Sequence, residues 1–169
     1  LTSVEGGKVL WRRLANLMMA LTTAFCPSLQ SQSPPTISLV SEVRSIQPGV
    51  PFYVGLSIHL GPGYHPYWKC PGIARVAASM QWKLPDGVEA GPIEWPEPER
   101  VFMLQVKCQG FERDVILPVK ITPPTGLVPG RSVKIGGTAA WLHCTQACQV
   151  SVDNVAIELP VRNEFPAYD

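Results

Sequence analysis

The sequence predicts an all-β protein, an immunoglobulin-like β-sandwich of about seven to nine strands, and three observations carry that expectation. Eighteen prolines and fourteen glycines are spread along the whole length, so few stretches can run as uninterrupted helix. Apolar and polar residues alternate with period two in several segments, as half-buried strands require. Turn residues separate those segments at short intervals. At 169 residues with 46% hydrophobic content, the chain is sized for one domain with a real core and some extra sequence.

Residues 8–33 read as an export signal. Lys8, Arg12 and Arg13 form the positive start, residues 14–25 an apolar run of h-region length, and residues 28–33 supply small and polar residues for cleavage. The run is too short to span a bilayer comfortably. Phe25 before Cys26 is bulky where a lipidation site wants a small residue, and Leu-Ala-Asn after the paired arginines does not fit the twin-arginine route. The expected organisation is therefore signal and linker start over 1–33, a sandwich domain over 34–165 and a tail over 166–169. An exported, periplasmic protein follows from the signal.

The first strand is expected over residues 37–46. Val50, Phe52, Val54, Leu56, Ile58 and Leu60 then alternate with Pro51, Tyr53, Gly55, Ser57, His59 and Gly61, a half-buried strand ended by Gly61-Pro62-Gly63. An aromatic loop, His65-Pro66-Tyr67-Trp68-Lys69-Cys70-Pro71-Gly72, follows. Val76, Ala78, Met80, Trp82 and Leu84 alternate again before Pro85-Asp86-Gly87. Residues 87–100 are rich in proline and are expected to lack regular structure, because proline removes a donor and biases its predecessor. Further strands are expected over 101–108, 114–121, 132–144 and 150–161. Within 132–144, Val133, Ile135, Ala139, Trp141 and His143 share one face, and Lys134, Thr138, Leu142 and Cys144 the other.

The segment Trp141-Leu142-His143-Cys144-Thr145-Gln146-Ala147-Cys148 reads as the redox centre. Residues four apart on a continuous strand lie ~13 Å apart, beyond the ~5.5–6 Å that a disulfide spans, so a bend must separate the two cysteines if they pair. Thr145-Gln146-Ala147 has no apolar β-branched run to resist one. A ring this small closes little chain entropy, which suits an exchangeable bond better than a staple. Four cysteines remain after the signal, and their three pairings are not separable from sequence.

Several other chemistries are excluded or weakly supported. A net charge of +1 with no basic run beyond Arg12-Arg13 gives no footprint for nucleic acid or an anionic membrane. No glycine-rich phosphate loop, Ser-His-Asp order or paired carboxylates stand out, so neither a cofactor nor a small-molecule substrate is expected. Cys144 and Cys148 with His143 or His65 are soft enough for copper(I), yet lack the second ligand pair of a zinc site, and no metal is assigned. His143 reads as packing or surface, since neighbours on a strand point to opposite faces. Tyr67, Trp68 and Trp82 read as core aromatics, and Glu94, Glu97 and Glu99 as a solvated loop face.

Three stretches together resemble a known family: the aromatic loop 65–72, the run 84–100 with its Ala90-Gly91-Pro92-Ile93-Glu94-Trp95-Pro96 centre, and the segment 141–148. The chain is similar, over residues 36–161, to the amino-terminal periplasmic domain of the thiol:disulfide interchange protein DsbD. The resemblance implies an immunoglobulin-like domain that takes electrons from a membrane-embedded donor and passes them to thioredoxin-like periplasmic proteins, as a component of a protein-disulfide reductase. It places the exchanging pair at Cys144 and Cys148, with Cys148 forming the mixed disulfide and Cys144 resolving it. Trp95, with Glu94 beside it, matches the cap loop over the sulfurs. Cys70 and Cys108 are extra to the family pattern and are expected to form a structural bridge or stay as separate buried thiols. Gln149-Val150 stands where the family has an apolar residue and proline. If Asp169 is the end of the whole protein, the donor is expected in another polypeptide. A second reading from a different class is a non-catalytic immunoglobulin-like module that binds a protein or copper and uses its cysteines as staples.

Overall fold

A period-two pattern with one buried face needs a second layer to cover it, and two sheets supply that here. The computed structural model describes residues 34–61, 64–66, 77–103, 106–144, 147–164 and 168. The expected export signal, Cys26, the residues Tyr67 and Trp68, and Cys70 lie outside them.

The described strands are β1 (Thr36–Ser41), β2 (Phe52–His59), β3 (His65–Pro66), β4 (Ser79–Lys83), β5 (Glu89–Ile93), β6 (Glu99–Met103), β7 (Val106–Gly110), β8 (Val115–Thr122), β9 (Ser132–Cys144) and β10 (Cys148–Pro160). One sheet has the order β1-β2-β8-β5. The second runs β10-β9-β3, with β4 also paired to β9, and β6 and β7 form a separate two-stranded sheet. All the ladders are antiparallel. The all-β, immunoglobulin-like expectation therefore holds.

Both sheets feed one core. Leu56, Val119 and Ile121 from the first meet Ile135, Ala139 and Trp141 from the second in a single buried cluster. Trp82 packs against that cluster half-buried, as its place in the alternation suggested. In β9 the odd-numbered residues face the core, so Val133, Ile135, Ala139 and Trp141 are buried while Lys134 is exposed. Gly136 and Gly137 sit mid-strand where β9 is flanked on both sides by β4 and β10. A Cβ on Gly137 would stand 2.1 Å from the Gln81 carbonyl oxygen, so only glycine lets the strands approach so closely.

Three strand expectations need correction. Residues 87–100 are not irregular throughout: β5 occupies 89–93 and β6 begins at Glu99. Pro92 is tolerated because β5 is a sheet edge and its register to β8 shifts between Ala90 and Ile93, where a missing donor breaks no ladder bond. Residues 101–108 are not one strand but parts of the β6–β7 hairpin, whose register pairs Val101 with Cys108. Leu104-Gln105 lacks the glycine, asparagine or proline that would announce a turn, so alternation alone reads through it. The first strand stops at Ser41 instead of continuing to 46. There the Ser41 hydroxyl donates to the Val43 carbonyl and accepts from the Val43 N–H, closing a local turn that competes with the ladder.

Candidate redox site

The cysteine pair is built by the turn between the two longest strands. β9 ends at Cys144 and β10 begins at Cys148, so the bend falls where the spacing of the sulfurs requires it. The register sets Cys148 directly opposite Cys144, with Gln149 opposite His143 and Val150 opposite Leu142. Directly opposed residues of an antiparallel pair bring their side chains to one face within bonding reach. The two sulfurs are joined in a disulfide of 2.06 Å across a Cα separation of 4.1 Å.

The two cysteines differ in access. Cys144 is 1% exposed. It lies on the inner strand of the hairpin, with β10 on one side and His65 of β3 in register with it on the other. Cys148 starts the edge strand and is exposed. Of the pair, Cys148 is the exposed residue and Cys144 the buried one.

A polar network on the core face holds the hairpin. Trp141, buried to 1%, donates its indole N–H to Asp153 Oδ2 at 2.9 Å. His143 Nε2 and the Ser151 hydroxyl share a hydrogen bond of 2.9 Å. The His143 ring leans on Trp141 at 4.9 Å between centroids and receives Tyr64 edge-on at 5.5 Å. Each bond crosses from β9 to β10, so the network ties the two strands together just below the disulfide. Burial pushes the His143 pKa down, with Asp153 opposing the shift, so the imidazole is neutral at physiological pH. His143 faces the core while Cys144 faces outward, which places it as a packing residue, as the strand argument expected.

Glu94 and Trp95 lie on the segment leaving β5. The Glu94 N–H donates to the Pro118 carbonyl at 2.8 Å, and its carboxylate accepts the Tyr53 hydroxyl at 3.1 Å. That hydrogen bond, together with the Glu94 charge, raises the Tyr53 pKa. Trp95 is half-buried against the core cluster. The hydrogen bonds of Glu94 thus anchor it to the first sheet, to β2 and β8, and not to the cysteine hairpin. Glu97 is exposed, whereas Glu99 belongs to β6 and pairs with Arg113 instead of lying on a loop. Cys108 sits in β7. Among the described residues, no group of three or more His, Cys, Asp or Glu is placed to hold a metal ion.

Sequence reasoning missed Asp153, Ser151 and Tyr64. The first two look like ordinary polar positions of an alternating strand, and only the β9–β10 register shows that they stand across from Ala139 and Trp141.

The disulfide hairpin fits what the comparisons found. Residues 38–159 match the family described as thiol:disulfide interchange protein DsbD, N-terminal. The chain belongs to this family. The fold also matches the crystal structure of the N-terminal periplasmic domain of ScsB from Proteus mirabilis, with a TM-score of 0.54 and 17% identity over 82% of this chain. This chain spans about half of that one, 51% of its length. At that identity the likeness is one of fold. No curated protein matches. Gln149-Val150, the departure from the family pattern, is accommodated as ordinary strand at the start of β10.

Proposed function

We propose that this domain is a periplasmic thiol:disulfide exchange carrier, working through the Cys144/Cys148 dithiol. Membership of the DsbD amino-terminal family supports thiol chemistry in general, and one structural observation carries the assignment of roles: Cys148 is exposed while Cys144 is buried. A mixed disulfide can form only on a sulfur that another protein can touch.

In the reduced state the Cys148 thiolate attacks one sulfur of a partner's disulfide. A Cys148–partner bond forms, the partner's S–S bond breaks, and the departing thiolate takes a proton. Cys144, having lost its own proton, then attacks Cys148. The Cys144–Cys148 bond forms, the mixed disulfide breaks, and the second partner thiolate leaves and is protonated. Two electrons have moved to the partner, and the domain is left oxidised. A dithiol donor, membrane-embedded by family resemblance, restores it by the same exchange in reverse.

Thioredoxin-like proteins are the acceptors in this reading. The cap assigned to Trp95 and Glu94 would shield the sulfurs between encounters, a role supported by the resemblance over 84–100. The export signal read over 1–33, ahead of the domain over 34–165, supports a periplasmic location, where Cys70 and Cys108 would serve structure.

Trapping tests the roles. A Cys144→Ser variant should accumulate a covalent complex through Cys148 with an oxidised thioredoxin-like protein, and Cys148→Ser should accumulate none. Failure of Cys148 to form any mixed disulfide would remove the carrier role and leave the cysteines as staples.

A further inference from the structure

The outward face of β10 continues from the accessible sulfur as an apolar, uncharged strip. Strand alternation puts Cys148, Val150 and Val152 on one face, and all three are solvent-facing: Val150 is 54% and Val152 66% exposed. Large apolar side chains so exposed on a strand gain nothing from the protein's own core. Their register partners on β9 are Leu142 and Ala140, with Asn154 facing Thr138 one step further. None of these carries a charge. The first charges on this face are Lys83 of β4, opposite Gly136, and the pair Lys134 and Glu158, toward the far end of the hairpin from Cys148. Among the described residues, β10 also forms the edge of its sheet.

We infer that Val150 and Val152 form the docking surface for the acceptor, and that the occupant is the apolar, uncharged collar around the disulfide of a thioredoxin-fold protein. The inference rests on the exchange reading above. The argument is continuity and charge: the partner's sulfur must reach Cys148, and its surface must then lie on the residues next along the strand. A strip without charge favours a partner collar without charge, because a charged group buried against it would lose its water without compensation. Val150 and Val152 are specificity-determining residues in this account, and they take no part in the sulfur chemistry.

The test compares two oxidants of the reduced domain. One is the oxidised thioredoxin-fold a domain of protein disulfide isomerase, which is poised to accept electrons. The other is hydroxyethyl disulfide, too small to reach Val152 while reacting at Cys148. Val152→Asp and Val152→Lys should each slow exchange with the protein by about tenfold or more, corresponding to a contact worth ~1.4 kcal/mol. Both should leave the hydroxyethyl disulfide rate within roughly twofold, because surface changes away from the sulfurs perturb the fold little. The wild-type protein rate should change little with added salt, since the docking faces carry no charge to screen. Val128→Asp, at a position 61% exposed outside the hairpin, should change neither rate.

Unchanged protein exchange in both Val152 variants would overturn the docking surface. Opposite effects of Asp and Lys would overturn it too, because they would mean charge steering and not apolar contact. Equal slowing with both oxidants would show a disturbed disulfide and likewise overturn it. Wild-type domain that reacts with hydroxyethyl disulfide but with no protein disulfide would overturn the exchange reading itself, and this surface with it.

Discussion

Cys144 and Cys148 face each other between β9 and β10 with 4.1 Å between their Cα atoms, one buried and the other exposed.

The first prediction follows from that difference. In the reduced protein under native conditions, a bulky maleimide should modify Cys148 at least about tenfold faster than Cys144, since reactivity requires access. Mass mapping of singly modified protein reads the ratio. Equal rates would mean that the hairpin opens on the timescale of labelling and that the static asymmetry does not assign the roles.

Trp141 should be the energetic anchor of the hairpin. It is among the largest fully buried side chains, and its indole N–H reaches Asp153 across the strands. Trp141→Ala should cost about 3–5 kcal/mol in denaturant unfolding through the cavity it leaves. Asp153→Ala should cost roughly 1–3 kcal/mol, because it strands a buried donor. Combined with Trp141→Phe, which removes that donor, the Asp153 effect should largely vanish. Full additivity would show that the hydrogen bond is not what Asp153 contributes.

His143 sets a pH dependence. Its pKa is lowered by burial, so the folded protein binds that proton less readily than the unfolded chain, whose histidine titrates near about 6.5. Stability is therefore fully present above that pH and falls as the solution is acidified through it toward the depressed folded value. Denaturant midpoints measured from pH 8 to pH 5 should decline for the wild type and decline less for His143→Gln. An unchanged slope in the variant would assign the dependence to another group.

Gly137→Ala should destabilise by about 1–3 kcal/mol, since the added methyl meets the Gln81 carbonyl oxygen at 2.1 Å and one strand must move. Thermal unfolding checks it. A neutral result would mean that β4 yields freely at that point.

Much of this was legible in the sequence where one rule dominated. The bounds of β9 follow from alternation ending at a cysteine, and the bend before Cys148 follows from the reach of a disulfide. Where two rules compete, the reading failed. Pro92 argues against a strand in general, and only the edge position of β5, a property of the assembled sheet, makes it acceptable. Leu104-Gln105 carries no turn signal although β6 and β7 on either side of it pair antiparallel, and Ser41 ends β1 through a local hydrogen bond that periodicity does not register. Asp153 and Ser151 were invisible for a related reason: their partners sit a dozen and eight residues away along the chain. Long-range register, not local pattern, decides them.

The reduction potential of the Cys144/Cys148 pair tests the carrier role most directly. Equilibration of the domain with defined glutathione or dithiothreitol buffers should give a value above about −300 mV, within the range of exchanging dithiols. A value well below that, in a pair that thioredoxin-like proteins fail to reduce or oxidise, would mark a permanent structural bond and contradict the account.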